Sequence, residues 1–591
     1  MQHKNMKCYM SNIVKNFHNC INNICNQLIN EKILDQNTNL NNINIDIPSD
    51  ENRGDISTNA ALIFRKFSSL NTMDLANIIK DKLLNIDFIF DVIVVNPGFI
   101  NVFFTNDFLI DELKNLNTQG VEYGSNNIGK DCKINIEYVS ANPTGPLHVA
   151  HSRGAVFGDV LSNLLEFCGY EVTREYYVND SGSQIIALGE SLYKRYKEQL
   201  NIKDEDAKIH LYPGKYLIDI ANEIIKTDGD KWINTPLEDR AEYFQNYAIK
   251  NILKGINDDL NSIGIYFDKY SSEKDIIKKN YIEKVFSLLK DQDLLYLGNL
   301  KKPKGNIDED WESRKQLLFK STSFGDESDR PFKKSNNDWT YFANDSAYHY
   351  DKLQRGYKKL INIWGSDHIG YVKRMKSMVR SLSNSEVELE INICQLVHLK
   401  KDNKPIKMSK RTGNFITLKE LTDQVGSDAL RYFMLRRKND AQMDFDLTKV
   451  IEKNNDNPIF YINYALARSN SLIEIFNDKI KKSNNFDLNK ENFNKYLVKE
   501  EWKIIKKLLS WPHIVENCAI KSEPHRLIYY LEELSALFHS FWNLGKEQKS
   551  LRFIDENNLE KTICKIYIIK SMQNIFKCAY KILGIKIIDR M

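Results

Sequence analysis

The run from Ile134 to Asp180, INIEYVSANPTGPLHVAHSRGAVFGDVLSNLLEFCGYEVTREYYVND, restricts the fold more than any other part of the chain. Ile134, Ile136 and Tyr138 alternate with Asn135, Glu137 and Val139, the period of a strand. Pro143, Gly145 and Pro146 then break any regular structure. A helix is predicted from about Leu147 to Cys168, with Gly169 positioned to end it, and a second strand over Glu171–Val178. A strand, loop, helix and strand in that order build a parallel sheet, whose ligands gather at the carboxyl ends of the strands.

His148 and His151 fall in the first turn of the predicted helix, three residues apart and so on one face. The backbone N–H groups there have no helical partner and attract anions, and two imidazoles add donors suited to phosphate oxygens. Zinc is the competing use of such a pair, but no third ligand lies close by and the HExxH spacing is absent. Far downstream, residues 399–421 read LKKDNKPIKMSKRTGNFITLKEL. Lys407 and Lys410 are compact point charges in a loop that Gly413 and Asn414 leave free to swing. A lysine-rich loop by itself is commonly just solvated. Its pairing with the histidine segment gives it meaning.

Together these runs carry a resemblance. NPTGPLHVAH is similar to the HIGH signature of class I aminoacyl-tRNA synthetases, and Lys407-Met408-Ser409-Lys410 to their KMSK loop. The wider EYVSANPTGPLHVAHSRGAVFGD resembles arginyl-tRNA synthetases of the bacterial type. Ala150 departs from the signature, which usually has glycine there to let adenine approach the backbone. The resemblance implies an α/β fold: a doubly wound, Rossmann-like parallel-sheet catalytic domain, an α+β N-terminal domain and an all-α C-terminal bundle. The expected boundaries are 1–115 for a domain reading the tRNA D-loop, 116–190 and 317–450 for the catalytic domain, 191–316 for an insertion, and 451–591 for an anticodon-binding bundle.

The resemblance also implies a reaction and its residues. ATP, with Mg2+, activates L-arginine, which is then passed to tRNA(Arg). His148, His151, Lys407 and Lys410 would be catalytic. Pro146, Ala150, Met408 and Ser409 would join them around ATP. Ser140, Asn142, His151, Tyr341 and Asp345 would hold arginine, with Asp345 as the guanidinium partner; Glu137 and His368 are further candidates. Asp345 as a helix N-cap is the alternative. On the RNA side, Asn96, Phe99 and Asn101 fall on the D-loop-reading segment, where an aromatic flanked by amides suits a splayed base. The alternative puts Phe99 in the core with the amides capping a turn. Tyr461, Tyr464 and Arg468 would meet the anticodon, or else pack the bundle core. Two rival readings remain: a different HIGH-type nucleotidyltransferase, and a tRNA-binding protein without catalysis.

Composition narrows the class without choosing the function. The 591 residues exceed one core, so several domains are expected. Lys plus Arg number 83 against 79 acidic residues, a net charge of +4, so any nucleic-acid contact must be local. The 9 cysteines include no CxxC pair, consistent with reduced cytoplasmic thiols and no structural zinc. No long apolar run or leader pattern is seen. A cytoplasmic monomer without a membrane span or bound metal is the expectation.

Overall fold

The structure, a computed structural model, describes residues 12–48, 50–202, 212–300, 314–406, 416–479, 490–588 and 590. They form two compact units. One holds the described residues of Asn127–Glu452 with Leu583–Ile585, the other those before Asn127 and from Lys453 onward.

The first unit is built on five parallel strands, in the order Glu388–Cys394, Lys359–Gly365, Lys133–Glu137, Glu171–Val178 and Lys269–Ser272. The strand order reverses at Lys133–Glu137, so the central strand's end is the switch point where such sheets bind ligands. Register sets Glu137 directly beside Glu175 on one side and Asn362 on the other. These three polar residues therefore share one face, and all are buried.

The helix after the central strand spans Val149–Phe167. Gly158 lets it lie hard against the sheet: a Cβ there would meet the Tyr138 ring at 2.3 Å. The helix ends as the sequence predicts, with Gly169 in the left-handed region at φ 83°. It is buried nearly all round, and even its charged Arg153 is enclosed, donating to the carbonyls of Gln395 and Ala441 at 3.0 and 2.7 Å. Asp159, on the same helix, pairs with Arg431, which also donates to the carbonyls of Leu583 and Ile263.

One predicted boundary needs correction. The range 191–316, read as an insertion, contains the edge strand Lys269–Ser272 of the central sheet. A four-residue strand gives too short a pattern to separate from the surrounding helices. The rest of that range is largely helical, led by Tyr216–Asp228 and Leu237–Ser262.

The second unit contains a four-stranded antiparallel sheet (Ile45–Asp46, Ile56–Thr58, Phe99–Phe104, Ile89–Val95) and the C-terminal helices from Pro458 onward. The helix Thr72–Leu84 is capped by Asn71, whose side chain accepts the Asp74 N–H. The terminal segments, read as separate domains, share this unit. Trp511 Nε1 donates to the Tyr123 carbonyl at 3.1 Å, Asn117 to Ser571 at 2.5 Å, and Lys506 pairs with Asp55 at 2.6 Å. The boundary set at residue 115 falls inside the helix Asn106–Gln119, which belongs wholly here.

Candidate active site

The chain leaves the central strand under strain. Val139 and Ser140 have φ of 67° and 39°, a region L-residues avoid and a β-branched one most of all. Such backbone persists only when its surroundings hold it. Ser140 Oγ donates to Glu137 Oε1 at 3.1 Å and accepts the Tyr177 N–H at 3.0 Å. Tyr176 donates its hydroxyl to the Ala141 carbonyl at 2.8 Å, and Asn142 gives its amide N–H to Gln184 at 3.0 Å. Asn142 is exposed, and Pro146 is half-buried on the way to the helix.

His148 is the N-cap of the helix and His151 its third residue, and each caps the other's end. The Ala150 N–H donates to His148 Nδ1 at 3.3 Å, while the His148 N–H donates to His151 Nδ1 at 3.1 Å. The ring centroids lie 3.9 Å apart. With both Nδ1 atoms accepting, each neutral ring carries its proton on Nε2. Two N–H donors and a helix terminus thus sit together, as a phosphate site requires. Ala150 is exposed at the same turn.

Lys407, Met408, Ser409 and Lys410 lie outside the described residues. The flanks of their segment are described. The Ile406 N–H donates to the Leu399 carbonyl at 2.9 Å. On the far side Thr417 bridges to His148, and the Leu418 N–H donates to the Leu147 carbonyl at 2.8 Å. Thr417 also starts the helix Leu418–Val425 through a capping box with Glu420. Thr417 and Leu418 thus lie beside the histidine pair.

Beyond the strand ends lies an acidic group. The helix Tyr341–Gln354 is capped by Thr340, so Asp345 is not its N-cap. Tyr341 is 55% exposed at the helix start. The Tyr177 hydroxyl is pushed well above its usual range, by burial first and then by Glu273, Asp345, Glu137 and Asp180 around it. Burial and Asp180 likewise raise the Glu273 carboxyl. Asp180 and Glu273 did not stand out in the sequence; Asp180 lies two residues beyond the strand Glu171–Val178, and Glu273 directly follows the short strand Lys269–Ser272, at strand ends where ligands gather.

Beneath this group runs a buried polar network that sequence reasoning missed. Lys352 Nζ donates to Glu137 Oε2 at 2.6 Å and to Asn362 Oδ1 at 3.0 Å. Asn362 donates to His349 Nε2 at 2.9 Å, and His349 Nδ1–H donates to the Asp345 carbonyl at 2.8 Å. Burial, aided by Lys352, holds the His349 pKa down to about 3, so the ring stays neutral. Alongside, Arg355 pairs with Glu175 at 2.8 Å, and Ser271, Tyr348 and Asn135 also donate to that carboxylate. Glu137, read as a guanidinium candidate, thus has one oxygen on Lys352 and the other on Ser140. A hydrophobic-period analysis does not pair a glutamate with a lysine 215 positions away. His368 stands exposed at the end of the neighbouring strand, Nε2 3.5 Å from Asp367.

In the other unit, Asn96 and Phe99 are exposed on the hairpin, Phe99 by 43%. Asn101 is 6% exposed, and its side-chain oxygen accepts from Ser57 at 2.8 Å across the sheet. It alternates with the core residues Ile100 and Val102, in a strand paired on both sides. Tyr461, Tyr464 and Arg468 are half-buried together. Arg468 lies 3.9 Å over the Tyr464 ring and 4.8 Å from that of Trp542, and it approaches His539 at 3.2 Å. Packing, the blander of the two expectations, describes this trio's present contacts.

Comparison with known proteins gives the geometry its setting. The family described as the arginyl tRNA synthetase N-terminal domain matches residues 15–104. The class I (R) tRNA synthetase catalytic domain matches 112–474, and the DALR anticodon binding domain 462–591. An arginine–tRNA ligase of Parvibaculum lavamentivorans is 38% identical, covering 98% of this chain and 100% of its own. One from Pelagibacter ubique is 44% identical, covering 93% and 95%. The solved arginyl-tRNA synthetase of Thermus thermophilus shares the fold at a TM-score of 0.72 and 16% identity, over 98% of this chain and 100% of that one. With identity at this level running almost end to end, the chain belongs to the arginine–tRNA ligases, among the class I aminoacyl-tRNA synthetases.

Proposed function

We propose that this chain joins L-arginine to tRNA(Arg) with the following division of labour. The arginine carboxylate attacks the α-phosphorus of Mg·ATP in line, a P–O bond forms, and the bond to pyrophosphate breaks. The reaction needs no protein nucleophile, so catalysis rests on position and on neutralising phosphate charge. His148 and His151 donate through Nε2 to phosphate oxygens at the helix terminus. Pro146 and Ala150 border the adenosine. Lys407 and Lys410, with Met408 and Ser409, close over the departing pyrophosphate. Magnesium is held by the nucleotide and water, so no cage of carboxylates is required.

Arginine lies with its guanidinium toward Asp345, Tyr341 and Glu273 and its α-amino end toward Asn142 and Ser140. Planar, bidentate pairing with carboxylates is what separates it from lysine. His368 borders the slot from the adjacent strand end. A terminal tRNA hydroxyl then takes the arginyl group from the adenylate, releasing AMP. Phe99 and Asn96 offer a stacking surface for a D-loop base. Tyr461, Tyr464 and Arg468 meet the anticodon after releasing part of their mutual packing. The protein works as a cytoplasmic monomer.

The observation that supports this most is the pairing of Thr417 and Leu418, which follow the lysine signature in sequence, with His148 and Leu147 at the cap that holds both histidines. The test is pyrophosphate exchange with each of the twenty amino acids, with and without tRNA. Arginine alone should support exchange; equal exchange with any other amino acid would overturn the assignment.

A further inference from the structure

We propose that Tyr216, in the insertion, is a positioning residue for the loop that receives ATP. This rests on the reading that residues 139–147 and the histidine cap form that site.

The loop is held at three carbonyls from three separate parts of the unit. Tyr176, in the sheet, takes Ala141 at 2.8 Å. The Leu418 N–H, after the lysine segment, takes Leu147 at 2.8 Å. The Tyr216 hydroxyl takes Thr144 at 2.5 Å, between the other two. Tyr216 opens the helix Tyr216–Asp228. Burial raises its hydroxyl pKa, so the group remains a donor at any working pH.

Two glycines make room for this contact. A Cβ on Gly214 would stand 2.1 Å from the Tyr216 ring, so the ring folds back over its own chain only because position 214 is bare. A Cβ on Gly145 would lie 3.3 Å from the Tyr216 oxygen, so ring and loop already touch. The segment Tyr212-Pro213-Gly214-Lys215-Tyr216 carries no chemistry of its own, and this contact gives it a purpose. The loop begins at the strained pair Val139 and Ser140 and ends at His148. Besides Tyr216, the loop's middle has Asn142 on Gln184 and the Thr144 N–H on the Asn142 carbonyl, and neither holds Thr144 from outside the loop. Misplacing the loop shifts the donors that must meet the phosphates, and small misplacements are costly in rate.

Tyr216→Phe removes the hydroxyl and little else. In arginine-dependent pyrophosphate exchange, kcat/KM for ATP should fall about tenfold, as expected for one lost hydrogen bond that positions reacting groups. The KM values for arginine and tRNA should stay within twofold, and urea unfolding should be unchanged. Gly145→Ala should also weaken ATP use, because its Cβ presses on the hydroxyl. In the Tyr216→Phe background the same alanine should cost clearly less. Normal ATP kinetics in Tyr216→Phe would overturn the proposal. So would strictly additive losses in the pair, or a change confined to the KM for tRNA, which would make Tyr216 an RNA contact. His151→Ala separates the two levels. Full exchange in that variant would sink the ATP assignment itself; lost exchange there with normal Tyr216→Phe would sink only the role of Tyr216.

Discussion

Replacing Lys352 by methionine removes the buried cation that Glu137 and Asn362 hold beneath the strand ends. The lysine side chain is 0% exposed, with its ammonium 2.6 Å from Glu137 and 3.0 Å from Asn362. Glu137 has a side chain only 8% exposed, so water cannot replace the lost partner. Breaking such a pair from one side costs about 3–5 kcal/mol, because a buried charge is left alone. That is a large share of the roughly 5–15 kcal/mol that keeps a domain folded. Adding Glu137→Gln removes the stranded charge, and most of the loss should return, since neutralising both members of a buried pair is commonly near-neutral. Urea unfolding of the two single variants and the double measures this directly. A loss below about 1 kcal/mol in Lys352→Met, or a double variant no more stable than the single, would refute the reasoning. Arginine kinetics on the same double variant decide what Glu137 does. With both its oxygens engaged inside the protein, the KM for arginine should recover to within a few-fold. A stable double variant with KM raised about a hundredfold would put Glu137 on the guanidinium after all.

The other predictions concern the remaining parts of the site. Asp345→Ala should abolish arginine-dependent pyrophosphate exchange while tRNA affinity stays within a few-fold; unchanged exchange would remove Asp345 from the pocket. Lys410→Ala should slow activation far more than it weakens arginine binding, and equal losses in stopped-flow and binding assays would make the loop merely structural. Burial pushes the Glu175 carboxyl up, but Lys352 and Arg355 more than reverse this and hold it at about 2 against the usual 4.5. A depressed pKa stabilises the fold above the unfolded value and loses that contribution as pH falls from about 4.5 toward 2, in all about 3 kcal/mol. Glu175→Gln should therefore flatten the acid limb of stability against pH, and identical slopes would contradict the pairing. Phe99→Ala should weaken tRNA binding by about 1–3 kcal/mol, the worth of one stacked base. Filter binding would show it, and an unaltered affinity would return Phe99 to ordinary surface.

Local pattern was enough to place the elements that organise this protein. Alternation located the central strand, a proline–glycine break located the loop, and Gly169 fixed the helix end, because period, turn chemistry and caps act over a few residues. The two signature runs named the reaction class from the same short stretches. Partnership between distant groups was decided only by the fold. Parallel register set Glu137, Glu175 and Asn362 in one row, and the helix across that face supplied Lys352 and Arg355 to them. The same sheet gathered Asp180 and Glu273 around Tyr177. The short strand Lys269–Ser272 and the joining of the chain's two ends in one unit were equally invisible. A side chain's neighbours in sequence reveal its period and its cap, whereas the charge it must balance in the interior is chosen by which strands come to lie side by side.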